Sequence, residues 1–598
     1  MKFRVTCPIV VLGLGGTRCL GALFDGPVEV LNRTYDFIIV GAGAGGGVMA
    51  SRLSEDPRIR VLLVEAGGSD FLNLNLSVPG FAPSLPGSQF DWNFTTVPQA
   101  GLNDRVINYP RGFVLGGSTS INQMAFNRGT KDDYDRWARV TGDDGWSWDK
   151  LYPFVKGLDR ITPPADHHNT TGEFDPEVHD HGLLPVSLTG FPLPTDDMVI
   201  ETTAQLPDQF PFNLDCNSGD AVGVSWSQST ILRGHRVSSA TSYLAWSFNR
   251  SNLDVVVNTH VTKVLPVGFE GNQPVMRGVQ LSQSADGLTH TLTATKEVIL
   301  CAGAVKTPHI LMLSGIGDAA HLSSMGIKPL VDLPAVGQNL QDHPYLRLAW
   351  FVNSTNTLDN IARNATLAAQ VLAQWQANGT GPLSLGGGTQ RGFLRINDSD
   401  SFFASLGTSD PSAGPTSAHY EFITRNGFGA TRLSLPAEGH FFSLTIAVIS
   451  PTARGNITLA SPNPFDAPLI NPNLLGTPTD LAIMRSAIRA ARAFVAAPAW
   501  AGYILDEFGP SANAHTNAEL DAYSRENADT IDHPVGSVAM GKGEKGALEP
   551  DLRVKGTVGL RVVDASAFPF IISGHTQGPT YILAERAAAL VRDSLDKA

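Results

Sequence analysis

The sequence predicts an α/β protein (α+β overall) whose first domain is built on a doubly wound parallel sheet. Three observations carry this. Phe37-Ile38-Ile39-Val40 is an unbroken apolar, β-rich run, the form of a strand buried on both faces. Gly41, Gly43 and Gly46 follow it as G-x-G-x-x-G, with Val48, Met49, Ala50 and Leu53 at helical spacing behind. A second apolar run, Val61-Leu62-Leu63-Val64, ends on Glu65, 24 residues past Gly41.

Each element has a physical reason. A side chain at Gly41 would block the tight turn from strand to helix. At Gly43 it would keep the backbone from a pyrophosphate, and at Gly46 it would push the helix off the strand. The phosphates then meet the free N–H groups and positive end of the helix. An acid at Glu65 binds both hydroxyls of an adenosine ribose and disfavours a 2′-phosphate. Alone, the glycines would be a glycine-rich turn; the flanking strands, helix and acid make them a Rossmann-like dinucleotide site, for FAD or NAD rather than NADP.

The remaining composition narrows the class. The 598 residues exceed one simple core, and 60 Gly with 39 Pro favour turns and loops over a helical bundle. The net charge is −13 with no Lys/Arg-rich block, which excludes nucleic acid as a partner. Lys2 and Arg4 precede an apolar run from Pro8 to Gly16, and Leu20-Gly21-Ala22 offers small residues for cleavage, so residues 1–22 read as a signal peptide. Ten N-x-S/T sequons (Asn32, Asn75, Asn93, Asn169, Asn249, Asn353, Asn364, Asn378, Asn397 and Asn456) agree with a secreted, extracellular glycoprotein. No other apolar run approaches 18 residues, so no membrane span is expected. Beyond the leader only Cys216 and Cys301 remain; one disulfide between them is open, and no metal site follows.

Further motifs lie downstream. Tyr109-Pro110-Arg111-Gly112-Phe113-Val114-Leu115-Gly116-Gly117-Ser118-Thr119-Ser120-Ile121-Asn122 sets two glycines before small hydroxyl residues, a loop that lets backbone approach a flat ring. Glu297-Val298-Ile299-Leu300-Cys301-Ala302-Gly303-Ala304 reads as a strand ending in small residues, and Thr307-Pro308 as the start of a helix ending at Leu313. Asp532-His533-Pro534, Val563-Asp564-Ala565 and Gly574-His575-Thr576 follow near the C-terminus. These long, gapped patterns resemble the two signatures of the glucose–methanol–choline (GMC) oxidoreductases, and within them the fungal aryl-alcohol oxidases. The likeness covers nearly everything from Tyr35 onward. Phe113 departs from it, standing where the signature usually carries a basic or polar residue.

The resemblance implies an FAD-binding domain at residues 35–345, with interleaved substrate-domain segments. A mainly substrate-binding domain on an antiparallel sheet would occupy 346–545, and 546–598 would return to the FAD domain. Gly41, Gly43, Gly46 and Glu65 would hold the adenosine diphosphate half of FAD. The backbone of Val261, in a strand from Asp254 to Val264, would meet adenine. Gly116, Gly117 and Asn122 would approach the isoalloxazine, and Asp564 and Ala565 would lie at the helix facing its pyrimidine end, where a helix N-terminus stabilises an anion. With no histidine between Gly112 and Met124, FAD is expected to be noncovalent.

His533 and His575 take the positions of the family's catalytic pair. A neutral imidazole at His533 would accept the O–H proton of a primary alcohol. His575 would orient the oxygen while flavin N5 takes the hydride, with oxygen or a quinone as acceptor. Asp532 and Gln123 stand where aryl-alcohol oxidases carry aromatic residues, and Phe428, in a lid from Ser417 to Pro436, would supply another pocket wall. The carboxylate of Asp532 is expected to raise the His533 pKa. A sugar or aliphatic alcohol dehydrogenase, and a hydroxynitrile lyase of the same fold, remain as alternatives, and a monomer is expected.

Overall fold

The computed structural model describes residues 22–596 apart from residue 72; residues 1–21 of the leader expected at 1–22 lie outside the described residues. An eight-stranded sheet organises the first half. Its core runs in parallel through Leu253–Val257, Val61–Val64, Tyr35–Val40 and His290–Leu300, with Val64 beside both Val256 and Val40, and Val40 beside Leu300. The four residues of Val61–Val64 are all buried, as a strand covered on both faces requires. Ala22–Asp25 adds an edge strand beside Leu253–Val257. Helix Ala44–Leu53 packs on the sheet, and the C-terminal helix Gln577–Asp596 is tied to it by Arg52 and Glu585 at 2.8 Å.

Two strand assignments differ from the sequence reading. The valine-rich stretch from Asp254 to Val264 is two strands, Leu253–Val257 and His260–Leu265. Asn258, in the left-handed region at φ 52°, turns the chain between them. The first strand is parallel to its neighbour; the second pairs antiparallel with Gly278–Ser282. His290–Leu300 is likewise longer than expected. Its first part alternates buried and exposed beside Gly278–Ser282, and its last three residues are all buried in the parallel sheet.

The helix expected from Thr307 begins at Gly303 and keeps Pro308 inside it. Proline cannot donate to the carbonyl four residues back, that of Ala304. The Ser537 hydroxyl donates to that oxygen instead, at 2.6 Å. Proline therefore read as a start where a remote serine allows an interior position.

The second half is built on an antiparallel sheet in the order Ile504–Phe508, Pro344–Val352, Phe441–Val448, Tyr420–Arg425, Gln390–Leu394 and Gly223–Trp226. Its two faces divide the labour. Phe442, Leu444, Ile446 and Val448 point with Leu346, Leu348 and Trp350 into a core completed by Leu481, Met484, Ile488 and Phe494 of helix Pro478–Val495. Each such fully buried side chain contributes roughly 1.5–3 kcal/mol of transfer free energy. Of the intervening residues, Arg347, Ile423, Arg425 and Thr445 line a cavity. The proposed lid from Ser417 is thus corrected: Tyr420–Arg425 is a central strand, and only the connection after it, which carries Phe428, is a loop.

Cys216 and Cys301 are buried and free, in separate cores. Nine of the ten sequon asparagines are exposed and Asn456 is half-buried. Among the described residues no helix is long and apolar enough to cross a membrane, and no group of side chains could hold a metal ion.

Candidate active site

A cavity of about 460 Å³ runs between the two sheets, a size typical of small-molecule sites. Gly41, Gly43, Glu65, Gly117, Asn122, Gln123, Val261, Phe428, Asp532, His533, Asp564, Ala565 and His575 all line it. Gly46 and Gly116 do not. A Cβ on Gly46 would lie 1.8 Å from the Gly41 carbonyl oxygen, so its absence lets the helix close on the strand. Gly116 adopts φ 93°, a left-handed turn that a glycine makes without strain, next to the cavity-lining Gly117. Phe113, the departure from the signature, packs against Trp92 with ring centroids 4.6 Å apart.

The end near Gly41 fits a dinucleotide. Helix Ala44–Leu53 has Gly43 as its N-cap with no side-chain cap, so its first-turn N–H groups are free for phosphate oxygens. Glu65 is buried and accepts from the backbone N–H of Ala42 (2.8 Å) and Gly67 (2.9 Å). Burial pushes its carboxyl up to about 7 against those bonds. Asn122 donates to Gln577 Oε1 (2.6 Å) and accepts from Arg236 (2.9 Å), which fixes the loop edge. Asp564 is spent internally, accepting from Gly303 N, Thr307 Oγ1 and Ser566 N, and only a three-residue 3₁₀ turn follows it. The long helix that meets the cavity starts instead at Gln577, with Thr576 and Thr580 also lining the wall.

At the other end stand three imidazoles. His533 Nε2 is 3.1 Å from His575 Nδ1, and His533 Nδ1 is 3.0 Å from Nδ1 of His343. His575 Nε2 lies 2.8 Å from both Glu421 Oε1 and Arg391 Nη1. Two arrangements compete there: Nε2–H donates to Glu421, or the Arg391 N–H meets its lone pair. The second leaves Nδ1–H of His575 facing a lone pair on His533 Nε2, the form a base needs. Asp342 sets the frame by accepting from His533 N (2.9 Å), His343 N (2.8 Å), Tyr109 Oη (2.7 Å) and Thr530 Oγ1 (2.6 Å).

The electrostatics reverse one expectation. His533 is held well below its ordinary value, by burial first and then by His575 and His343. Its neighbour Asp532 does not raise it, because burial pushes that carboxyl up to about 8. The Asp532 side chain is 39% exposed, and what it meets is the cavity it lines. A mostly neutral acid offers His533 little charge to feel. Asp532 adopts φ 69°, and Arg111 holds its carbonyl at 2.7 Å.

Sequence reasoning missed His343, Asp342, Arg391 and Glu421. One signal for the first two was present: Asp342-His343-Pro344 repeats the tripeptide Asp532-His533-Pro534. Nothing local marked Arg391 or Glu421, which reach His575 only because adjacent strands place them there.

Comparison with known proteins agrees with this geometry. The chain matches the GMC oxidoreductase family over residues 35–345 and 451–584. It is 39% identical to dehydrogenase eriK of Hericium erinaceus over 96% of this chain and 97% of that protein. It is 38% identical to pyranose dehydrogenase 3 of Leucoagaricus meleagris over 94% and 93%. A formate oxidase superposes with a TM-score of 0.85 at 26% identity, covering 97% of this chain and 100% of that one. A fungal aryl-alcohol oxidase does so with 0.81 at 25%, covering 94% and 100%.

Proposed function

The chain belongs to the GMC oxidoreductases, and from that premise we propose that it oxidises a primary alcohol, aryl or related, to the aldehyde with His533 as the base. The observation that carries the reading is the His533–His575 pair at 3.1 Å, at the cavity end opposite the glycine cradle. When bound, FAD supplies the acceptor for the hydride of the carbinol carbon. The alcohol oxygen takes the place of the mutual His575–His533 contact, meeting His533 Nε2 and His575 Nδ1. His533 takes the O–H proton, and its depressed pKa keeps it neutral and ready at neutral pH. His575 holds the oxygen in line through a ring that Arg391 and Glu421 fix. Phe428, in edge-on contact with Phe441 and Phe508, gives the substrate an aromatic wall.

A sugar is the second reading. Gln123, Asp532 and Arg347 make the other walls polar, and two of the chain's relatives are named pyranose dehydrogenases at 38% identity. A panel of benzylic, furanic, aliphatic and pyranose alcohols, each assayed with oxygen and with a quinone, separates the two. Benzylic turnover with inert pyranoses supports the aryl reading, and the reverse overturns it.

Residues 111–125 along the cavity contain no His, Cys or Tyr to form a bond to the ring. FAD is therefore expected to leave with the supernatant when the protein is denatured and precipitated. A yellow pellet would contradict this.

A further inference from the structure

The cavity-facing side of the antiparallel sheet carries charge that neither the base nor the cofactor uses. Along Tyr420–Arg425, residues two apart share a face, so Glu421, Ile423 and Arg425 point the same way. Glu421 is the partner of His575, while Ile423 and Arg425 line the cavity. The register sets Ile423 opposite Thr445, and Thr445 opposite Arg347 on the far neighbour strand. Thr445 and Arg347 line the cavity too. Two guanidinium groups therefore stand on one wall, Arg425 four residues along the strand from the catalytic end, roughly 13 Å at ~3.3 Å per residue.

Neither arginine is in an ion pair among the described residues. Arg347 Nε donates to Thr445 Oγ1 at 3.3 Å, a neutral partner. Both side chains are exposed; for Arg425 burial lowers the pKa first and the proximity of Arg347 lowers it further, while Asp359 raises it. The acids nearby form no ion pair with either arginine, though Asp359 acts on Arg425 and Asp529 on Arg347 from a distance. Asp359 accepts from Phe428 N, Phe441 N and Thr357 Oγ1, and Glu526 pairs with Arg432. Two like charges sharing a cavity wall, with Asp359 and Asp529 acting on them from outside ion-pair distance, repel each other, and an anion placed between them removes that cost.

We propose that Arg347 and Arg425 bind an anionic group on the substrate, so that the chain acts on alcohols bearing a carboxylate about one ring or short chain away from the carbinol. A planar guanidinium meets a carboxylate through paired N–H donors, which adds direction to charge. The proposal rests on the reading of His533 and His575 as the site of alcohol oxidation, and it specifies what the remote end of the substrate must be.

The test compares para-(hydroxymethyl)benzoate with its methyl ester on the holoenzyme, and measures binding of the non-oxidisable para-methylbenzoate by calorimetry. The acid is expected to exceed the ester in kcat/KM by roughly tenfold or more, mostly through KM, as charge-assisted bonds of this kind allow. In Arg425→Gln and Arg347→Gln that preference should collapse and para-methylbenzoate binding should weaken, the acid losing kcat/KM through KM far more than the ester does. Equal use of acid and ester, or a preference that survives both substitutions, overturns the proposal while leaving alcohol oxidation intact. If neither compound is oxidised yet para-methylbenzoate binds in an arginine-dependent way, the anion site stands and the aryl-alcohol reading falls.

Discussion

Replacing His533 by Ala is expected to slow reduction of the bound FAD by about 10²–10⁴, the range of general acid–base catalysis. That is roughly 3–5.5 kcal/mol of barrier at ~1.4 kcal/mol per decade. The protein should stay yellow, because the glycine cradle, Glu65 and the Asn122 loop lie on other segments. The pH dependence gives a second handle. A base works in its neutral form, present above its folded pKa, and that of His533 lies well below 6.5 because the ring is buried beside two imidazoles. The wild-type rate should then hold level as pH falls through 6.5 and drop only at more acid pH. His575→Ala should also slow the step, through lost orientation of the oxygen. If the two rings act as one unit, the double variant is less impaired than the product of the singles. Near wild-type reduction in His533→Ala, measured by anaerobic stopped flow, would end the assignment.

Arg391→Met should carry the largest stability cost among the polar residues of the site. Arg391 and Glu421 are 0% and 1% exposed, 3.7 Å apart, and both are bound to His575. Removing the cation leaves a buried carboxyl group facing only the imidazole, and losing one member of such a pair costs roughly 3–5 kcal/mol. Chemistry should suffer as well. With Arg391 gone, Glu421 alone claims Nε2 of His575, which moves the ring proton away from Nδ1 and the alcohol oxygen. Arg391→Met with Glu421→Gln removes both charges and should recover most of the stability. Denaturant unfolding of the holoprotein reads both variants; an Arg391→Met protein as stable as wild type would show that the pair does not support the site.

The parts of this molecule legible in the sequence are those whose causes are local. The Gly41–Gly46 turn, the strand Val61–Val64 and the strings around His533 and His575 each carry their constraint within about ten residues, so they could be read directly. What failed depended on distant partners. Asn258 hides a turn inside a valine-rich run, and Pro308 sits inside a helix because Ser537, more than two hundred residues away, takes over the carbonyl it leaves. The lid proposed from Ser417 was a sheet strand, because Tyr420–Arg425 alternates between the core and a cavity rather than between core and open water. The effect of Asp532 was reversed for the same reason: sequence proximity suggested a charge, and burial removes most of it. Arg391, Glu421, Arg347 and Arg425 meet the site only through strand register.

The central claim, that this cavity removes a hydride from an alcohol, is tested most directly by mixing the holoenzyme with substrate alcohol in the absence of oxygen and any other acceptor. The visible flavin absorbance should bleach in a single turnover, with the aldehyde formed in equal amount to the FAD. Flavin absorbance unchanged by every alcohol offered, together with cleavage of a hydroxynitrile by the same protein, would contradict it and make the chain a lyase.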